Sequence, residues 1–166
     1  RGLSVIQNVT SATQLHHNYS FVSVLFRTPG FVRQEREIRQ KAMECLDMVG
    51  LAGQWDSKAG SLPYGLQRKL EIARALALSP KLLLLDEPAA GMNPDESLDL
   101  MDMIQKLRNQ LDLTILVIEH HMELIMGICE RILVLNFGAT IAAGTPSEIQ
   151  ANPEVITAYL GDDTDD

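Results

Sequence analysis

The sequence predicts an α/β fold: a parallel sheet flanked by helices, with an α-helical region in front of it. Two observations predict the sheet. "KLLLLDEP" and "LTILVIEH" are continuous apolar runs of strand length that end in charged residues, the pattern of buried parallel strands. Between them, "DESLDLMDMIQKLRNQL" has apolar residues at helical spacing, so the strands alternate with helices. A third observation predicts the helical region, because helical patterns dominate up to Ser79-Pro80. The expected division is therefore residues 1–80, helical, and residues 81–166, α/β.

Each element has its own signal. "SVIQNVTSATQL" carries apolar residues at helical spacing and is followed by a looser stretch, "HHNYSFVSVLFRTPG". Thr28-Pro29-Gly30 marks a turn. An amphipathic helix is predicted from Phe31 to Val49, stopped by Gly50. After the loop "AGQWDSKAGSLPYG", a second helix, "LQRKLEIARALAL", runs from about Gly65 to Leu78. In the helix that follows the first strand, Leu98, Met101, Ile104, Leu107 and Leu111 are expected along one face. "MELIMGICE" reads as a short helix, "RILVLNFGATIAAG" as two strands around Asn136-Phe137-Gly138. Two short helices close the chain, with Thr145 capping the first and Pro146 in its first turn.

Composition narrows the function classes. The chain has 166 residues and a net charge of −8, but residues 1–80 carry +4 and residues 81–166 carry −12. An acidic second half argues against a nucleic-acid surface, which needs clustered positive charge. The basic stretch "RQEREIRQK" is interrupted by glutamates and reads as a solvated helix face. No apolar run approaches the ~20 residues of a membrane helix. The start has no signal-peptide pattern and no initiator methionine, which suggests a processed, truncated or partial chain. Cys45 and Cys129 lack metal-site or redox-motif spacing and are expected as buried, reduced thiols in a reducing cytoplasm. His16 and His17 are adjacent, which favours loop residues over a metal site.

Chemistry concentrates where strands end. "LLLLDE" places Asp86 and Glu87 at the carboxyl end of a strand, where ligands bind in open α/β sheets. One acid there can hold Mg²⁺ through water while its neighbour orients or deprotonates an attacking water. Gly65 opens a helix after "LPY", and a helix N-terminus offers free N–H groups to an anion. "VIEHH" ends the next strand with His120, placed to reach the same crevice. Taken singly, each has an ordinary structural explanation.

In combination, "LPYGLQRKLEIARAL", "LLLLDEPAAGMNP" and "ILVIEH" resemble the ATP-binding subunits of ABC transporters, in that order and spacing. The resemblance covers almost the whole chain. "EPAAGMNP", the "RTPGF" turn and the ending "NPEVITAYLG" are most similar to the ATPases of bacterial branched-chain amino-acid importers. It implies that Leu62, Pro63, Tyr64, Gly65 and Leu66 form the signature loop, which touches the γ-phosphate of ATP held by the opposing subunit. It makes Asp86 the Walker B aspartate near Mg²⁺, Glu87 the catalytic glutamate and His120 the switch histidine. Ala90, Gly91, Met92 and Asn93 fall in the D-loop. Three positions depart from the usual pattern: Pro63 replaces a serine, Asn93 an aspartate, and His121 stands where an aspartate is common.

The resemblance also implies partners: transmembrane permease subunits, a second ATPase subunit and, indirectly, a periplasmic or extracellular solute-binding protein. Nucleic acid is not among them. The expected location is peripheral, on the cytoplasmic face of the inner membrane. "FVSVLF" is expected either to dock on a permease or to pack as a short core helix.

One part of such an ATPase has no counterpart in these residues. A G-x-x-x-x-G-K-[ST] loop cradles the phosphates, yet Lys41, Lys58, Lys69, Lys81 and Lys106 all lack a preceding glycine. The chain is therefore expected to be the carboxyl-terminal part of an ATPase subunit, with an incomplete core, and inactive alone. That predicts exposed strand edges and apolar faces favouring dimerisation or aggregation. Two alternatives stand beside it. One is a complete, non-catalytic relic that serves as an interaction module. The other is an ABC ATPase with a different cargo, such as lipopolysaccharide. Trp55 and the methionines at 101, 103, 122 and 126 are expected to pack rather than to hold a cofactor.

Overall fold

The computed structural model describes residues 2–13 and 25–159. His16, His17, most of "FVSVLF" and the acidic "GDDTDD" lie outside the described residues. Two compact units divide the chain, residues 1–118 and 119–166.

The first unit begins with three packed helices: α1 (Val5–Thr13), α2 (Pro29–Met48) and α3 (Tyr64–Leu76). Thr28 caps α2 by accepting a hydrogen bond from the Phe31 amide, and Pro29 stands in the first turn, where its missing N–H costs nothing. At the other end Gly50 takes φ +74°. Its amide donates to Asp47 O and the Leu51 amide to Leu46 O, at 2.9 and 2.7 Å. This is the Schellman pattern, which a left-handed glycine permits. Val5, Val9, Ala42, Leu46 and Leu51 form a core that is 0% exposed. The loop after α2 is laced to the start of α1: Ser57 O and Trp55 O accept from the Val5 and Ile6 amides, both at 2.9 Å. Trp55, expected to pack half-buried, is instead exposed, with the Arg39 guanidinium 4.9 Å above its ring.

After Pro80 the chain forms β1 (Leu82–Asp86), α4 (Pro94–Gln110) and β2 (Thr114–Ile118). The two strands pair in parallel without a shift, from Leu82 opposite Thr114 to Asp86 opposite Ile118. The apolar faces expected to be exposed in an incomplete core are exposed here. The strands are covered on one face only: Leu83 is buried, whereas Leu82, Leu84, Leu116 and Ile118 are more than half exposed. A continuous apolar run implies two covered faces, and among the described residues only one is covered.

A correction concerns α4. Its buried face holds Ser97, Leu100, Met101, Met103, Ile104 and Leu107, while Leu98 is exposed. Three-residue steps each fall about 60° short of a full turn, so a chain of them starting at Leu98 drifts off one face. Leu100 takes the place expected for Leu98. Leu111 follows the helix as its cap residue and is half-buried.

The second unit contains α5 (Met122–Ile128), the antiparallel hairpin β3 (Ile132–Asn136) and β4 (Ala139–Gly144), then α6 (Pro146–Gln150) and α7 (Pro153–Tyr159). Phe137 and Gly138, both at positive φ, make the two-residue turn. Val134, Ile149 and Val155 form its core, with Met122, Met126, Ile132 and Ile141 packed against it. Thr145 and Glu148 form a capping box at α6. The Tyr159 hydroxyl donates to Leu135 O at 2.7 Å, fastening α7 to β3. Among the described residues no helix is long and apolar enough to cross a membrane.

Candidate functional site

Within the first unit, Asp86 is the last residue of β1, and its side chain is exposed. Glu87 follows at φ +42°, a conformation that residues with a Cβ rarely adopt. Two hydrogen bonds hold it there. Its amide donates to Ile118 O at 2.8 Å, extending the β1–β2 ladder by one bond, and its carbonyl accepts from the Ala90 amide at 3.1 Å. The left-handed residue ends the strand at Asp86 and turns the backbone out of the strand direction. Strain of this kind persists only where the surroundings enforce it.

The loop then closes on itself. Ala89 is 2% exposed, and its carbonyl accepts from the Met92 amide. Gly91 takes φ +77°. Asn93 caps α4: its Oδ1 accepts from the Glu96 amide at 2.9 Å while Glu96 Oε2 accepts from the Asn93 amide at 3.2 Å. The sequence "NPDE" encodes this capping box, a signal that the sequence reading passed over.

The "LPYGL" segment approaches the same loop. Pro63 occupies the N-cap of α3 and supplies no side-chain cap, so no hydroxyl competes for the first-turn amides. The Leu66 amide is already turned back to Pro63 O at 3.0 Å. Gln67 secures the preceding residue, its Nε2 donating to Leu62 O at 2.8 Å. Leu62 itself is buried. Tyr64 lies against Gly91, and Gly65 faces Met92 and Glu96. The "LPYGL" segment and the loop after Glu87 are thus in contact.

Arg68 was not singled out from the sequence, although its spacing to Tyr64 and Glu71 puts all three on one helix face. Its guanidinium lies 5.1 Å from the Tyr64 ring centroid and pairs with Glu71 at 2.8 Å. The hydrogen bond to Glu71 leads the causes that hold Arg68 above its ordinary pKa. Arg68, Glu71, Leu84, Asp86 and Pro88 line a cleft of about 190 Å³.

His120 lies in the second unit, just after β2, beside Glu119 and His121. Asp86, Glu87, the signature segment and Asn93 all belong to the first unit.

Residues 3–90 match the family described as ABC transporter. The chain belongs to the ABC transporter family. Residues 139–165 match a second family, described as branched-chain amino acid ATP-binding cassette transporter. Among curated relatives, the high-affinity branched-chain amino acid transport ATP-binding protein BraF of Pseudomonas aeruginosa is 47% identical over 160 residues, spanning 96% of this chain and 63% of BraF. LivG of Escherichia coli, which bears the same description, is 45% identical over 162 residues, spanning 98% of this chain and 64% of LivG. The lipopolysaccharide export system ATP-binding protein LptB of Acidithiobacillus ferridurans is 41% identical over 128 residues, covering 77% of this chain and 52% of LptB. The chain thus spans less than two thirds of the length of these relatives. A crystal structure of an ATP-binding cassette of an ABC transporter in its ADP conformation superposes with a TM-score of 0.76 at 28% identity, covering 96% of this chain and 63% of that one. The α/β ABC-ATPase fold is accordingly that of this ABC transporter chain.

Proposed function

We propose that these residues are part of the ATP-hydrolysing subunit that powers an ABC importer for branched-chain or related amino acids. The observation that carries the proposal is the strand-end pair Asp86–Glu87, with Glu87 turned into a left-handed conformation and its following loop seated against the "LPYGL" helix start.

Asp86 and Glu87 divide the work by chemistry. Asp86 offers carboxylate oxygens from the strand end, the donor type that Mg²⁺ takes while keeping most of its waters and the nucleotide phosphates. Mg²⁺ bound there with ATP would neutralise charge on the phosphates. Glu87 orients the attacking water and accepts its proton. The start of α3 presents backbone N–H groups to a phosphate held by an opposing subunit, and the helix dipole adds to the attraction. Asn93 acts through its cap on α4, setting where the loop meets the phosphate. His120 hydrogen-bonds the γ-phosphate. Residues 1–80 serve as the helical subdomain and residues 81–166 as part of the catalytic core. Partners are transmembrane permease subunits and a second ATPase subunit at the cytoplasmic face of the cell membrane, with a solute-binding protein acting indirectly.

Two findings favour amino acids over lipopolysaccharide as cargo. The family matched at residues 139–165 is the branched-chain type, and the BraF and LivG matches extend over more of this chain than that of LptB.

These 166 residues do not grip ATP by themselves, because none of their lysines stands in a phosphate loop. Titration of the chain with Mg-ATP in a calorimeter is expected to show no saturable binding. Joining the portion of BraF outside the match to this chain is expected to confer hydrolysis, and Glu87→Gln in that chimera to slow it by at least ~10²-fold, as loss of a general base does. Micromolar binding by the chain alone overturns the first expectation. An ATP-binding chimera whose turnover survives Glu87→Gln overturns the role of Glu87.

A further inference from the structure

Glu119, His120 and His121 occupy consecutive positions at the start of the second unit. The Glu119 side chain has no exposed surface, whereas those of His120 and His121 are 60% and 53% exposed. Both imidazoles turn Nδ1 towards one oxygen: His121 Nδ1 lies 3.3 Å from Glu119 Oε2, and His120 Nδ1 lies 3.9 Å from it. The two rings are tilted by 35° with centroids 4.3 Å apart. One ligand atom from each of the three residues falls within 4.8 Å of the others.

We propose that these three side chains form a site for a transition-metal ion, Zn²⁺ in particular, separate in chemistry from any Mg²⁺ held with nucleotide. Two imidazole nitrogens and a carboxylate oxygen are the donor set that Zn²⁺ takes, with water in the fourth position. Mg²⁺ prefers oxygen alone. Distances decide how much must move. Tetrahedral Zn²⁺ with bonds of about 2.0–2.1 Å has ligand atoms about 3.3–3.4 Å apart. The Glu119–His121 edge already has that length. His120 must close on Glu119 by about half an ångström, through rotation of its exposed ring beside that of His121.

The simpler account of the cluster is a pair of hydrogen bonds on Glu119 Oε2, with the His120 amide and the His121 ring, both at 3.3 Å. Those bonds place one imidazole against the carboxylate and do not require the His120 ring to turn Nδ1 towards the same oxygen. Burial of Glu119 adds a further argument. A carboxylate without exposed surface stays where it is, so the site has a fixed anchor and two adjustable arms.

Chelator-treated chain titrated with zinc chloride, without nucleotide, tests the proposal. One equivalent is expected to bind with micromolar or tighter affinity, weakened at least about tenfold by His121→Ala and by Glu119→Gln. Far-UV circular dichroism checks that each variant folds, and the exposed position of His121 keeps one variant readable if loss of buried Glu119 perturbs the unit. Co²⁺ in place of Zn²⁺ is expected to give a visible spectrum that His121→Ala changes. A double variant, His16→Ala with His17→Ala, is expected to bind as the parent does. Absence of binding at ~1 mM zinc, or equal affinity in the parent and His121→Ala, overturns the proposal.

Discussion

The edge of the Tyr64 ring, at Cε1, lies 3.5 Å from the point where a Cβ on Gly91 would stand. Ordinary van der Waals contact at that distance ties the first turn of α3 to the loop that follows Glu87. A methyl group at position 91 fits the space, so the difficulty of adding one lies in the backbone, at φ +77°. Gly91→Ala is expected to cost about 1–2 kcal/mol of stability through left-handed strain. Tyr64→Ala is not expected to relieve it. Denaturant unfolding of the two single variants and the double variant separates backbone strain from a clash, since a clash alone is relieved when the ring is removed.

The face of α4 makes a second prediction. Leu100 is fully buried and Leu98 is 57% exposed. Leu100→Ala is expected to destabilise the chain by about 2–5 kcal/mol, the usual range for a buried leucine. Leu98→Ala is expected to change stability by less than about 0.5 kcal/mol. Equal effects in urea unfolding would mean that the helix is rotated from the orientation described.

Of the two cysteines expected to be buried, Cys129 is only half-buried, whereas Cys45 is 2% exposed and burial raises its thiol pKa. Lys41 opposes that shift and Glu44 adds to it. The nucleophile is the thiolate, so burial and protonation act together against reaction. Iodoacetamide at neutral pH is expected to leave Cys45 unmodified in the folded chain and to label it in denaturant, as peptide mass spectrometry would show. Rapid labelling without denaturant would place Cys45 nearer the surface.

Glu148 carries a pH dependence. Its carboxylate pKa is lowered first by the backbone N–H of Thr145, at 2.7 Å, then by the Thr145 hydroxyl, with Arg131 adding to the effect. A lowered folded-state pKa means that the α6 cap contributes fully above the ordinary glutamate range. The contribution is lost as pH falls through the folded value. In an NMR titration the Thr145 amide proton is expected to move with a midpoint below that of free glutamate. Glu148→Gln is expected to abolish the movement. A midpoint at or above the ordinary value contradicts the capping geometry.

Much of this fold was legible in the sequence because its signals are local. Gly50, Thr145 with Pro146, and Phe137-Gly138 each act within a few residues, and each terminates or turns an element where expected. The parallel pairing of β1 and β2 was legible from two apolar runs with a helix between them. Exposed apolar faces were expected too, but which residues would carry them was not legible, because that depends on neighbours that a strand pattern does not name. Leu82 and Leu83 look alike in sequence, yet only the second is covered. At the candidate site, "LPYGL" and "DE" stood out by residue type and spacing. The contact between Tyr64 and Gly91 did not, since it joins residues whose proximity arises only when α3 packs beside α4. Arg68 was missed for a similar reason: an arginine in a basic helix becomes distinctive only once its ring partner and cleft are seen.

The row formed by Leu82, Leu84, Leu116 and Ile118 also bears on how a cell would receive this polypeptide. Synthesis at about 5–20 residues per second brings both strands out within several seconds, and their pairing is complete although, among the described residues, that row stays exposed. Chaperones and proteases respond to exposed apolar side chains, whatever the state of the hydrogen bonds beneath them. A correctly paired β1–β2 ladder therefore still displays the mark of an unfinished protein. Its cellular lifetime would be set by how quickly that row is covered.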